Sequence, residues 1–368
     1  MVKIALVVGA RPNFMKVGPV YFELKKHSRY TPLLIHTGQH YDQNLSQIFF
    51  EQLGFPKPDV YLGVGSGTHG VQTAKIMIAF EQFLMLERPD LVLVAGDVNS
   101  TVACAIDAVK LHIPVAHLEA GLRSFDRKMP EEINRIETDC ISSMLLTPSR
   151  DGDENLIREG ISKEKIFFVG NAMIDSLKKY ESIAEESSIM QELDLKKHAY
   201  GLITLHRPSN VDDKENFKKI LDAFSVIEQE IPLVFPMHPR SRKQLEIFGL
   251  LEQVNAIPNL RLIDPIGYLD FLKLEKYAQL VLTDSGGIQE ETTVFGVPCL
   301  TLRENTERPI TIELGTNQLI PLETDEIIKH AKEILAGNVK RGSIPPLWDG
   351  HTAERIVTVM DNFDYSFK

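Results

Sequence analysis

Cysteine is scarce in this chain: Cys104, Cys140 and Cys299 are the three in 368 residues, far apart and in no paired spacing. That excludes a disulfide framework and a structural zinc set, and a reducing cytoplasm fits best. Long apolar runs are missing as well. No run reaches the roughly 18 apolar residues of a membrane span, and the run at 4–8 is too short for a signal-peptide core, so a soluble intracellular protein is expected. Basic blocks are also absent. Lys and Arg number 40 against 51 Asp and Glu, a formal net charge of −11, which argues against nonspecific binding to nucleic acid or to an anionic membrane. A few cations in one cleft would still hold a phosphorylated small molecule.

Missing motifs narrow the chemistry further. No Gly-x-Gly-x-x-Gly follows the first apolar run, which argues against a dinucleotide-binding fingerprint and so against a redox cofactor. No Gly-x-x-x-x-Gly-Lys-Ser/Thr phosphate loop is present. His-Glu-x-x-His is absent, so no metal is inferred. Gly-x-Ser-x-Gly is absent, which removes the usual esterase signature.

What remains is ordinary globular material, 43% hydrophobic and 25% charged, long enough for two domains at about 150 residues each. Short unalternated apolar runs at 4–8, 33–35, 91–95, 115–116, 144–146 and 166–169 each end in a polar or glycine-bearing turn. Helix-like stretches such as 71–86 and 100–110 lie between them. This alternation predicts parallel strands covered on both faces, an α/β fold. A polar stretch at 178–197 interrupts the rhythm in a hinge-like region near 170–200. The pattern then restarts with runs at 201–205, 233–235, 280–282 and 299–302. The expected division is a first Rossmann-like domain at 1–171 and a second at 172–350. A helix within 351–368 is expected to pack back on the first.

In such sheets ligands bind beyond the carboxyl ends of the strands. The unusual residues collect there: Arg11, His40, Asp97, Glu119, His206, His238 and Ser285. The richest run is Asp284-Ser285-Gly286-Gly287-Ile288-Gln289-Glu290-Glu291. Its glycines allow close backbone approach, and the free N–H groups of the following helix favour phosphate oxygens. Glu291, one turn in, suits the two hydroxyls of a ribose. The plainer alternative is a strand–helix turn with Asp or Ser as the helix cap. Arg11 and Lys16 would lie near the start of a helix beginning at Pro12, where an anion is favoured; a solvated surface pair is the alternative. Asp97, Glu119 and Glu131 lie at strand ends or helix starts and suit acid–base work if their pKa is raised. Alternatively Asp97 caps a helix, and Glu131 is first-turn acidity with Arg135 as its surface partner. His206 and His238 both end strands of the second half.

With these motifs in place, the chain resembles the non-hydrolysing UDP-N-acetylglucosamine 2-epimerases over nearly its whole length. The likeness runs through Gly9-Ala10-Arg11-Pro12, Thr37-Gly38-Gln39-His40, Gly96-Asp97 and His117-Leu118-Glu119-Ala120-Gly121-Leu122-Arg123. It continues through Pro130-Glu131-Glu132-Ile133-Asn134-Arg135, the run 284–291, and Thr306-Glu307-Arg308-Pro309. The resemblance implies two Rossmann-like domains with parallel sheets facing a central cleft, as in GT-B glycosyltransferases. It also implies a cofactor-free inversion at C2 of a UDP-sugar, through loss of UDP, a 2-acetamidoglucal and re-addition. Asp97, Glu119 and Glu131 match the family's acids and His206 its active-site histidine, the expected catalytic set. Arg11, Lys16, His40, Arg135, His238, Phe271, Ser285, Gly286, Gly287, Glu291 and Arg308 make the expected substrate-binding set. Within it Phe271 would line the uracil pocket, Glu291 hold the ribose and Arg308 meet phosphate or sugar. A homodimer is the family expectation. One segment departs: His206-Arg207-Pro208-Ser209-Asn210 stands where many bacterial members carry His-Arg-Arg-Glu. Residues near that loop bind a second, activating substrate molecule in some members, so the likeness does not carry activation with it. A related subgroup acts on 2,3-diacetamido uronic acid sugars, and a glycosyltransferase would use the same grip on UDP.

Overall fold

The computed structural model describes residues 1–38 and 53–366, without the Arg11 side chain. The chain forms two compact units, Met1–Lys178 with Pro346–Lys368, and Lys179–Pro345. Both are parallel α/β sheets. Helices of nine residues or more are numbered below.

The first unit carries strands β1 (Val2–Val8), β2 (Tyr30–His36), β3 (Val60–Tyr61), β4 (Leu91–Ala95), β5 (Val115–Leu118), β6 (Met144–Thr147) and β7 (Ile166–Phe168). They pair in the order β3-β2-β1-β4-β5-β6-β7, every pair parallel. Helices α1 (Arg11–Lys25), α2 (His69–Glu87), α3 (Asn99–Lys110), α4 (Pro130–Ile141), α5 (Arg150–Arg158) and α6 (Ala172–Ala184) connect or follow the strands. Ala5, Val7, Val92 and Val94 pack with Ile76, Phe80 and Phe83 of α2. Their neighbours Ile4, Leu6, Leu91 and Leu93 are equally buried, because alternate residues serve opposite faces and both faces are covered. Pro19 lies inside α1 and cannot donate to the Met15 carbonyl one turn earlier. The Ser176 hydroxyl donates to that carbonyl instead.

The second unit holds β8 (Gly201–Thr204), β9 (Leu233–Pro236), β10 (Leu260–Ile263), β11 (Leu280–Thr283), β12 (Cys299–Leu302) and β13 (Asn317–Ile320). Their order is β10-β9-β8-β11-β12-β13, again all parallel. Helices α7 (Lys214–Ile227), α8 (Pro239–Phe248), α9 (Tyr268–Lys276), α10 (Gly286–Phe295) and α11 (Thr324–Leu335) complete it. Ile203, Leu233, Leu280 and Leu300 face Phe217, Phe224 and Ile327. Leu202, Val234 and Val281 face Tyr200, Leu274 and Phe271 on the other side.

The division falls within α6, so the polar stretch at 178–197 is partly helical, holding the end of α6 and a short helix at Ile189–Glu192. Its Glu, Lys and Ala are good helix formers. The tail helix α12 (Thr352–Asp361) packs on α1. Asp175 accepts hydrogen bonds from the free N–H groups of Thr352 and Ala353 at 3.1 and 2.8 Å. Trp348 is buried, and its indole N–H donates to the Pro148 carbonyl at 2.9 Å.

The order in which strands are added reverses once in each sheet, between β1 and β4 in the first unit and between β8 and β11 in the second. At such a point the two flanking connections leave on opposite faces, opening a crevice at the carboxyl ends of the strands.

Candidate active site

In the first unit, Asn13 fastens the crevice between β1 and β4. Its carbonyl oxygen accepts from the N–H groups of Gly9 and Ala10, and its amide donates to the Ala95 carbonyl at 3.0 Å. One turn further along α1, Lys16 reaches across to Glu119, Nζ to Oε2 at 2.5 Å. Lys16 is 8% exposed and Glu119 3%, so burial strengthens the pairing. Gly96 has φ +68°, and a Cβ there would stand 3.0 Å from the Lys16 ammonium. Glycine at that position keeps the space between the strands open. Glu119 itself has φ +70°, a strained conformation for a side-chain-bearing residue and a common mark of functional positions.

Asp97 follows Gly96 and pairs with Arg135 at 2.5 Å. It does not cap a helix: Val98 occupies the cap position of α3. Arg135 is not a surface partner of Glu131 either. It is 2% exposed and bonds Asp97 and Glu132, because Glu132, Arg135 and Asp139 form the buried stripe of α4. Burial pushes the Glu132 carboxyl up, but hydrogen bonds from Ser124 and Arg135 outweigh it and hold the group below its ordinary value. Glu131 sits beside this stripe, half-buried and in no ion pair among the described residues.

Below these groups lies a buried cluster that the sequence did not announce. His117 contacts the Gly96 carbonyl through Nε2 at 2.8 Å and Asp139 through Nδ1 at 2.6 Å. Asp139 also accepts from the Gly121 N–H at 3.1 Å and pairs with Arg123 at 2.7 Å. Burial pushes Asp139 up, yet His117 and Arg123 hold it below the usual carboxylate range. One carboxylate thus anchors the segments carrying both Asp97 and Glu119.

In the second unit, Asp284 ends β11 and is fully buried. Its oxygens accept from the N–H groups of His206 and Arg207, and Oδ1 meets His206 Nδ1 at 2.9 Å. The Asn210 amide also reaches it at 3.3 Å. The loop after β8 is therefore tied to the end of β11 across the switch point. Ser285 occupies the cap position of α10 without a side-chain capping bond. Gly286 lets Arg308 approach closely, since a Cβ there would stand 2.6 Å from its Nη1. Arg308 pairs with Glu290 at 2.8 Å. Its neighbour Glu307 is buried among Arg303, Arg207 and Arg308. Burial opposes its charge, but the Arg303 hydrogen bonds and the three guanidinium charges depress its pKa far below the ordinary range.

Glu291 is 3% exposed and accepts from the Tyr268 hydroxyl at 2.8 Å. Phe271, on α9, is half-buried against the adjacent core cluster. Gly287 lies in the first turn of α10. The His238 ring stands 5.6 Å from that of His206, and its Nδ1 accepts from the Arg240 N–H, capping α8. Arg11 opens α1; its side chain, like all of His40, lies outside the described residues. Asn13, His117, Asp139, Tyr268 and Glu275 escaped sequence reasoning. His117 lies inside a quoted motif; the other four carry no sequence signal that sets them apart from ordinary polar residues. Among the described residues no group of three or more His, Cys, Asp and Glu could hold a metal ion, and no helix is long and apolar enough to cross a membrane.

A profile of the family described as UDP-N-acetylglucosamine 2-epimerase matches residues 22–361. The UDP-N-acetylglucosamine 2-epimerase of Methanocaldococcus jannaschii is 46% identical, covering 97% of this chain and 98% of that protein. The chain belongs to the UDP-N-acetylglucosamine 2-epimerase family. A crystal structure of the M. jannaschii enzyme in complex with UDP-GlcNAc and UDP superposes with a TM-score of 0.92 at 44% identity, covering 98% of this chain and all of that one. The UDP-2,3-diacetamido-2,3-dideoxy-D-glucuronate 2-epimerase of Pseudomonas aeruginosa is 42% identical, covering 92% of this chain and 94% of that protein. The two parallel α/β units are those of the GT-B architecture shared by this epimerase family.

Proposed function

We propose that this chain inverts C2 of the N-acetylglucosamine in UDP-N-acetylglucosamine, giving UDP-N-acetylmannosamine by elimination and re-addition of UDP. The observation that carries the reading is the first switch point. There two strand-end carboxylates, Asp97 and Glu119, are each held against a buried cation. A protein that only gripped UDP, or transferred the sugar to an acceptor, would have less use for them.

The chemistry sets the order of events. C2–H of the sugar has no neighbouring carbonyl to acidify it, so the anomeric C1–O bond must break ahead of, or together with, proton loss. The electron pair of that bond leaves with UDP, the C2–H pair forms the C1=C2 double bond, and a carboxylate takes the proton. Re-addition of a UDP oxygen to C1 and proton delivery to the opposite face of C2 complete the inversion. No electrons pass to a carrier, so no redox cofactor enters the route. Charge developing on the departing diphosphate calls for fixed donors and cations. In this reading the start of α10 at Gly286 and Gly287, Ser285 and Arg308 meet the diphosphate, with Arg11 and Lys16 as further cations. Glu291 holds the ribose and Phe271 the uracil. Asp97, Glu119 and Glu131 act on the sugar and His206 completes the catalytic set, while Arg135, His40 and His238 complete the binding set. A homodimer belongs to the same reading; α2 leaves Val71, Ile78, Met85 and Leu86 exposed.

The test is product identification by NMR with the purified protein. UDP-N-acetylglucosamine and its C2 epimer should interconvert to one mixture without accumulation of free UDP. Turnover of only the 2,3-diacetamido uronate would move the substrate to the class named for the P. aeruginosa relative. UDP release only when an acceptor sugar is added would identify a transferase and overturn the reading.

A further inference from the structure

Glu275 lies on α9 with its carboxyl wholly buried, and neither of its oxygens has a hydrogen-bond partner of ordinary donor–acceptor kind. The group within hydrogen-bonding reach is another carboxyl, that of Glu291 on α10. An ionised carboxylate has acceptors only, so two of them buried side by side leave each facing lone pairs and like charge. A proton between them removes both problems. We propose that Glu275 is a neutral carboxylic acid that donates its proton to the Glu291 carboxylate, fixing Glu291 for the ribose hydroxyls of a uridine nucleotide.

The surroundings fit this arrangement. The Tyr268 hydroxyl donates to Glu291 Oε1 at 2.8 Å, so Glu291 receives one donor from a phenol and one from an acid, both carried by α9. Tyr268 is itself held in place by the edge of Tyr180, ring centroids 6.2 Å apart. The other ionisable groups facing the pair are Glu290, which is engaged by Arg308, and the buried thiol of Cys299. Among the described residues, no cation acts on either carboxyl. Burial and the neighbouring Glu291 push Glu275 far above the ordinary carboxylate range. Burial pushes Glu291 up to about 7, against the Tyr268 and Glu275 hydrogen bonds, which favour its charged form, and with repulsion from Glu290. Near neutral pH the pair therefore holds one or two protons.

Binding follows from that count. Ribose hydroxyls donate to a carboxylate, so the nucleotide binds the form in which Glu291 is charged and Glu275 is not. As pH falls through about 7 Glu291 takes a proton, UDP affinity drops, and binding releases a proton. Glu275 touches no ligand in this scheme and is a positioning residue.

The proposal rests on the assignment of Glu291 to the ribose, so that assignment is read separately. Glu291→Ala in the full chain should lose UDP affinity at pH 8; unchanged affinity removes the ribose grip and this proposal with it. Given that loss, calorimetry with UDP at pH 6 to 9 compares two variants at 275. Glu275→Gln keeps a neutral donor and should match wild type within about twofold at every pH, whereas Glu275→Met keeps bulk but no donor and should bind roughly tenfold more weakly at pH 8. The pH midpoint should move up in Glu275→Met alone. Loss in Glu275→Gln as large as in Glu275→Met, or wild-type binding by Glu275→Met, overturns the proposal and leaves Glu291 in place. Infrared difference spectra of wild type minus Glu275→Gln at pH 8 need neither UDP nor the methionine variant. They should show a carboxylic-acid C=O band, and its absence contradicts the proposal by itself.

Discussion

The two units solve one topological problem with different chemistry. Each presents a switch point, at β1/β4 and at β8/β11. The first is lined by ion pairs joining distant parts of the chain, Lys16 with Glu119 and Asp97 with Arg135. The second is a cradle of backbone N–H groups around Asp284, with a glycine turn that admits Arg308. A cation beside a carboxylate favours its ionised form, the form that accepts a proton. A glycine turn at a helix start suits a ligand that carries fixed negative charge. In the proposed reading, similar folds divide the work: proton transfer belongs to the first unit and the grip on UDP to the second.

The sharpest way to break this division is to remove the acids one at a time. Asp97→Asn, Glu119→Gln and Glu131→Gln should each lower epimerisation by about 10²–10⁴-fold and leave UDP affinity within about twofold, read by steady-state kinetics and calorimetry. Loss of UDP affinity in these variants would place the acids in the grip instead. Next in size is the buried cluster beneath them. Asp139→Ala takes the buried carboxylate from His117 and from Arg123, which keeps Glu159, and should cost about 3 kcal/mol, seen as earlier melting of the first unit, while UDP still protects the second. Smaller still is the pH effect at Glu291. UDP affinity should fall as pH drops below about 7, approaching tenfold per unit well below that point. A flat profile from pH 5 to 8 would remove the carboxylate from the ribose. Least of all, Gly286→Ala places a methyl against the buried Arg308 guanidinium and should cost about 1 kcal/mol of UDP binding, with turnover at saturation lowered by a similar factor.

Much of the fold was legible in the sequence, and the exceptions share a cause. Central strands such as β4, and β11 up to Thr283, are apolar runs because both faces and both edges are covered. Strands β3, β10 and β13 lie at sheet edges, where covering thins, although β7, also at an edge, still reads as an apolar run. There Val60–Tyr61 is too short to register, Leu260–Ile263 contains exposed Arg261, and Asn317–Ile320 begins with two amides. None reads as an apolar run. Among the candidate site residues, the strand-end acids and the run 284–291 stand out in the sequence because turn chemistry marks them. Arg135 entered only through the family motif, and Glu275 was not named. Each reads as an ordinary surface charge on a helix, and only its position in the folded unit shows that it faces inward, toward Asp97 in one case and Glu291 in the other.

In the proposed reaction a carboxyl group of the first unit removes and restores the hydrogen on C2. That role is tested most directly by running the reaction to equilibrium in deuterium oxide and examining the recovered UDP-sugars by NMR and mass spectrometry. One deuterium is expected at C2 of the inverted product, with the label lost or greatly slowed in Asp97→Asn, Glu119→Gln or Glu131→Gln. Inverted product that keeps its original hydrogen at C2 would contradict that role.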